Sequence, residues 1–170
     1  MYLIYHGLLI LLLLLAVFYD FQTLKISNKI IITGLIIGLT GQLYFRGLLA
    51  GTLNFFEGIM IPLIILIPLF VFSMIGAGDI KLLAVVGAFL GYKAVFDCII
   101  ISFLLGAVLA LVKMLKEGNL LSRLQYLAEY FKEFLITKKI KPYYIPEEGN
   151  KNILHFSLEI FLGVLISLVF

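Results

Sequence analysis

Long apolar runs broken by short polar stretches set the layout of this chain. A helix that crosses the hydrocarbon core of a bilayer needs about 20 mostly apolar residues. Six segments approach that length: 3–19, 30–45, 56–75, 80–96, 98–112 and 153–170. Inside lipid the backbone N–H and C=O groups find no water, so each run must close its hydrogen bonds within itself as a helix. The pattern therefore predicts an all-α, polytopic membrane helix bundle of about six transmembrane helices. The fourth segment is the weakest, because its clean stretch from Leu82 to Tyr92 is short and is followed by Lys93 and Asp97. Those two charges predict an outer turn between the fourth and fifth helices; one long tilted helix is the alternative.

Between the last two runs the pattern changes. Leu120, Leu124, Leu127, Phe131, Phe134 and Leu135 recur at helical spacing, with Arg123, Glu129, Lys132 and Glu133 between them. Such an amphipathic helix lies in the membrane interface with its apolar stripe against lipid; an arm that grips substrate is the other reading. Lys138 to Lys141 would sit against anionic headgroups, and Pro142 to Gly149 reads as a connector. The chain is thus expected to form one transmembrane domain over residues 1–170, with residues 113–152 as a cytoplasmic amphipathic segment and linker.

Composition agrees with a lipid solvent. Of 170 residues, 63% are hydrophobic and 14% charged, with a mean hydropathy of +1.16, well above the apolar share of soluble domains. A net charge of +3 without a dense basic stripe excludes a nucleic-acid partner. The N-terminal leucine run is preceded by no Lys or Arg and followed by no small-x-small cleavage pattern, so it reads as a transmembrane helix and not as a secretory leader. The lone cysteine, Cys98, reads as a small buried hydrophobe.

The Lys and Arg residues divide unequally between the two faces. With six spans and an outside N-terminus, the inside holds Lys25, Lys29, Lys81, Lys113, Lys116, Arg123, Lys132, Lys138, Lys139, Lys141 and Lys151, and the outside only Arg46 and Lys93. By the positive-inside rule, Asp20 and Asp79 then share the cytoplasmic face of the membrane.

Acids at membrane depth are expensive, about 2.5–3.5 kcal/mol on insertion scales, and so are candidates for function. Asp79 ends the run Gly76-Ala77-Gly78-Asp79, where two glycines allow an extended strand to approach closely. The start of a helix favours its negative charge, which suits a simple N-cap equally well. Asp20 ends the first helix, where the dipole works against a negative charge; an interfacial acid near Lys25 and Lys29 is the plainer reading. Two carboxyls biased in opposite directions suit peptide hydrolysis, with one taking a proton from water while the other polarises the scissile carbonyl. Asp97 reads as a solvated acid, Glu159 as the holder of a helix-packing hydrogen bond or of substrate, and His155 as interfacial.

These residues resemble the type IV prepilin peptidases, membrane aspartyl proteases. Asp20 with downstream Ile26-Ser27-Asn28 is similar to that family's aspartate followed by a short spacer and Ile-Pro-Asn, with Ser27 in place of the proline. Gly76-Ala77-Gly78-Asp79-Ile80-Lys81-Leu82 is similar to its G-x-G-D-x-K-L, and His155 to Gly163 looks like its last helix. The resemblance implies an aspartic endopeptidase that cleaves the leader of prepilin or pseudopilin substrates at the cytoplasmic membrane face. It implies Asp20 and Asp79 as the catalytic pair, Gly76, Gly78, Lys81 and Asn28 as supporting motif residues, and no metal or other cofactor. The cysteine cluster of the larger members is missing, so the chain looks like a short, cysteine-poor member without N-methyltransferase activity. A presenilin-like protease would also pair Tyr19-Asp20 with G-x-G-D, but on consecutive helices and with a Pro-Ala-Leu motif. A small proton- or ion-coupled transporter is the alternative from another class, against which stand the clustering of the acids at one face and the lack of a visible repeat.

Overall fold

The computed structural model describes residues 1–118, 120–137 and 155–169. Lys138 to Lys141, the connector at Pro142 to Gly149, Lys151 and the first residues of the sixth apolar run lie outside them. The described residues form seven helices and no strand: α1 (Tyr2–Thr23), α2 (Asn28–Arg46), α3 (Leu48–Val71), α4 (Ala77–Leu90), α5 (Tyr92–Glu117), α6 (Leu120–Thr137) and α7 (Phe156–Val169). The protein is an all-helical membrane protein. By length and composition α1, α2, α3 and α5 can each cross a bilayer; α4 and α7 have 14 residues each, an arrangement compatible with six spans.

The weakness of the fourth apolar run has a structural cause. Every residue of α4 from Leu82 to Phe89 is buried, so this helix is the axis of the bundle and meets protein on all sides. α3 and α2 pack on it, α5 and α7 close the bundle, and α1 packs on α2, α4 and α7. Helices approach closely in lipid where small residues remove side chains from the contact. On α2 the buried stripe Gly34, Gly38 and Gly41 recurs at helical spacing and meets Val85, Ala88 and Tyr5 in turn. On α3, Gly58 lies directly against Gly87 of α4.

A small polar network closes the end of the bundle where α2 and α4 finish. Gln42 donates through Nε2 to the Phe89 carbonyl at 2.7 Å, and Asn54 donates through Nδ2 to Gln42 Oε1 at 3.0 Å. Tyr5 donates its hydroxyl to the Gly38 carbonyl at 3.0 Å. Each group is buried, and each bond satisfies an atom that lipid cannot. A cavity of about 200 Å³ at this end is lined by Arg46, Asn54, Leu90, Tyr92 and Lys93. The two cations assigned to the outer side of the membrane thus lie together.

Several boundaries differ from the hydropathy reading. The turn between α4 and α5 is Gly91 alone, with φ at +86°, a conformation suited to glycine. Lys93 and Asp97 belong to the first turns of α5; both are exposed, which is why charge at the head of a helix imitated a loop. The third helix starts at Leu48, well before Phe56, and stops at Val71. It contains Pro62 and Pro68, each of which removes one backbone donor from the helix. The amphipathic segment is helical as α6, with Leu121, Leu124, Leu135 and Ile136 exposed and Phe134 set edge-on to Phe72 at 5.2 Å.

Candidate active site

The two sequence blocks singled out by their acids meet at one end of the bundle. α1 carries Asp20 in its last turn, before the chain turns at Leu24 in the left-handed region. The loop then runs to Ser27, the N-cap of α2. Opposite it, Gly76 is the N-cap of α4. A Cβ on Gly78 would lie 3.4 Å from the Ile26 side chain, an ordinary contact distance, so the start of α4 and the loop before α2 are neighbours. Lys81 donates to Asn28 Oδ1 at 3.1 Å and ties α4 to the first residue of α2 on the exposed surface. All four supporting residues expected from the sequence, Gly76, Gly78, Lys81 and Asn28, therefore lie around one junction.

Asp79 is not the N-cap. It is the third residue of α4, and the Gly76 backbone N–H faces its carboxyl, as in the return half of a capping box. A Cβ on Gly76 would lie 3.1 Å from Asp79 Oδ2, so the glycine leaves the carboxyl room as well as a backbone donor. Gly76 is exposed and Asp79 half-buried, so the turn is open to an approaching chain.

Asp20 is partly enclosed as well, with its side chain 13% exposed. Its surroundings come from α7, the last helix. Ser157 donates its hydroxyl to Asp20 Oδ2 at 2.6 Å, and His155 Nδ1 lies 3.2 Å from the same oxygen. The His155 ring stacks on Phe21 with centroids 4.2 Å apart. No lysine pairs with Asp20 among the described residues; its polar neighbours are Ser157 and His155. Asp20 and Glu159 both lie close enough to Asp79 to act on its charge through space, so α1, α4 and α7 bring three carboxyls to one place.

Glu159 sits in the first turn of α7, earlier in the helix than the hydropathy boundary placed it. It is 2% exposed, and its Oε2 has no hydrogen-bond partner among the described residues. The packing hydrogen bond expected of it is therefore missing at that oxygen. His155 is a neighbour of Asp20 and not simply an interfacial side chain, and Ser157 was not singled out at all. A signal was present: His155, Ser157 and Glu159 place polar groups at alternate positions where an apolar helix begins, on the side of the membrane that the charge count assigns to both aspartates.

Three carboxyls, a hydroxyl and an imidazole, half-sheltered at the end of a helical bundle, can hold and pass protons. Cys98 is remote from them, buried against Ser167 at 3.0 Å on the α5–α7 contact. No curated protein and no solved structure matches the chain significantly. The model of the type IV leader peptidase family does match, over residues 7–111. This stretch contains Asp20, Asn28, the glycine turn, Asp79 and Lys81, and it covers more than half of the chain. The chain belongs to the type IV leader peptidase family and is a membrane-embedded protease.

Proposed function

We propose that this protease is an aspartic endopeptidase that removes the leader from type IV prepilin-like substrates at the cytoplasmic face of the inner membrane, with Asp20 and Asp79 as its catalytic pair. The observation that supports the reading is that these two acids, 59 positions apart in the sequence, lie within electrostatic reach of each other beside an exposed glycine turn.

Two carboxyls that share a confined site cannot both carry a full charge cheaply, so one proton belongs to the pair. The unprotonated acid takes a proton from water as the water oxygen attacks the scissile carbonyl carbon, while the protonated acid hydrogen-bonds the carbonyl oxygen. The proton gained from water then goes to the leaving nitrogen as the C–N bond breaks, and the pair returns to its starting state. The substrate would reach the acids as an extended segment laid along Gly76 to Gly78, with its apolar helix beside the bundle. The division of eleven cations against two supports the cytoplasmic side.

Coexpression with candidate prepilins tests the reading, with leader removal followed by gel shift. Asp20→Asn and Asp79→Asn should each abolish processing while the protein still inserts in the membrane. Processing that persists in either variant would rule out the pair.

A further inference from the structure

We infer that Ser157 and His155 are positioning residues for Asp20, which makes the first turn of α7 a working part of the peptidase site; the inference rests on reading Asp20 as one of the catalytic acids. α7 lies beyond the residues 7–111 that carry the family match, and the two-carboxylate chemistry above uses neither side chain.

An aspartate near the end of a helix has several staggered side-chain wells open to it. Here one oxygen is held twice. The Ser157 hydroxyl donates to Oδ2 at 2.6 Å, in the range of charge-assisted O–H···O bonds, and Ser157 itself is fully buried, so its hydroxyl has no water to turn to. His155 Nδ1 reaches the same oxygen at 3.2 Å. The plane of its ring is set by stacking on Phe21, the residue next to Asp20. Two donors on Oδ2 leave Oδ1, which has no hydrogen-bond partner among the described residues, as the oxygen available to water or substrate. The clamp comes from a helix that also packs on α4 and α5, so its position is fixed by the same core that places Asp79.

Orientation alone is worth a large factor in catalysis, since a displacement near 1 Å costs about 100-fold in rate. The experiment compares cleavage kinetics of the purified full-length enzyme on a prepilin substrate for wild type, Ser157→Ala, Ser157→Thr, His155→Phe and Asp20→Asn. Ser157→Ala removes the donor with little change of shape. His155→Phe keeps the stack on Phe21 and removes the nitrogen. Each should lower kcat by roughly 10- to 100-fold with KM little changed, and Ser157→Thr, which keeps the hydroxyl, should recover most of the lost kcat. Unfolding, read as exposure of the buried Cys98 thiol to a fluorogenic maleimide, should occur at the wild-type temperature for Ser157→Ala. Wild-type kcat in both Ser157→Ala and His155→Phe, with Asp20→Asn inactive, would overturn the inference and leave the proposed function standing. A loss of kcat that tracks a lowered unfolding temperature and is not recovered by threonine would also overturn it. Activity surviving in Asp20→Asn would remove the proposed function itself.

Discussion

The crossing of α3 and α4 is where the fold is most sensitive to a single methyl group. A Cβ on Gly58 would overlap the carbonyl oxygen of Gly87 and lie 2.6 Å from its carbonyl carbon; a Cβ on Gly87 meets the Gly58 carbonyl in the same way. Ordinary contact begins near 3.4 Å, so in Gly58→Ala the carbonyl carbon alone would part the helices by roughly 0.8 Å and the nearer oxygen by more; a gap of about 0.5–1 Å already forfeits a quarter to a half of the dispersion energy of the atoms along the seam. The obstacle is backbone on both sides, which no rotamer change relieves, so the cost belongs at the upper end of the overpacking range, about 3 kcal/mol. On the scale of soluble domains of this size that is a fall of about 6–12 °C in Tm. The chain has a single cysteine, Cys98, and it is fully buried, so a maleimide dye that fluoresces on reaction reports unfolding in detergent directly. Gly7→Ala is the matched control, because nothing lies within 4 Å of a Cβ there and alanine is the better helix residue. Gly58→Ala melting within a degree or two of Gly7→Ala would refute the reasoning.

Two further substitutions test the polar groups that the bundle buries. Gln42→Leu strands the Asn54 amide and weakens the satisfaction of the Phe89 carbonyl, so it should cost about 1–3 kcal/mol in the same melting assay; these groups sit at the end of the bundle away from Asp20, and an unchanged Tm would show that the network is not satisfying buried groups. Glu159→Met replaces a buried carboxyl whose Oε2 is unpartnered with an apolar chain of similar length. Its stability should stay within about 1 kcal/mol of wild type, because removing an unsatisfied buried group offsets the loss of a first-turn acid, and a fall of several kcal/mol would show that Glu159 holds a structural bond after all.

Lipid dictates the local part of this fold, and that part is readable from the order of residues alone. A backbone without water must close its hydrogen bonds over four residues, so apolar length alone announced helices α1 to α5 and the last one, and helical spacing announced α6. The block Gly76 to Lys81 was equally readable, since a glycine turn leading into an acid at a helix start depends on a few consecutive residues. Local pattern failed where charge and helix coexist, as at Lys93 and Asp97, which ride on exposed faces of α5 and left Gly91 to make the turn. Packing between distant residues chooses which faces meet. That choice rests on close approaches between distant glycines and their partners, Gly34 with Val85 and Gly58 with Gly87, and no periodicity within one helix encodes the register of another. The same packing brings Ser157 and His155 to Asp20 across 137 and 135 positions of chain. Their polarity was visible in the sequence, but their partner was not, because a hydrogen bond between helices is specified by where the core seats them.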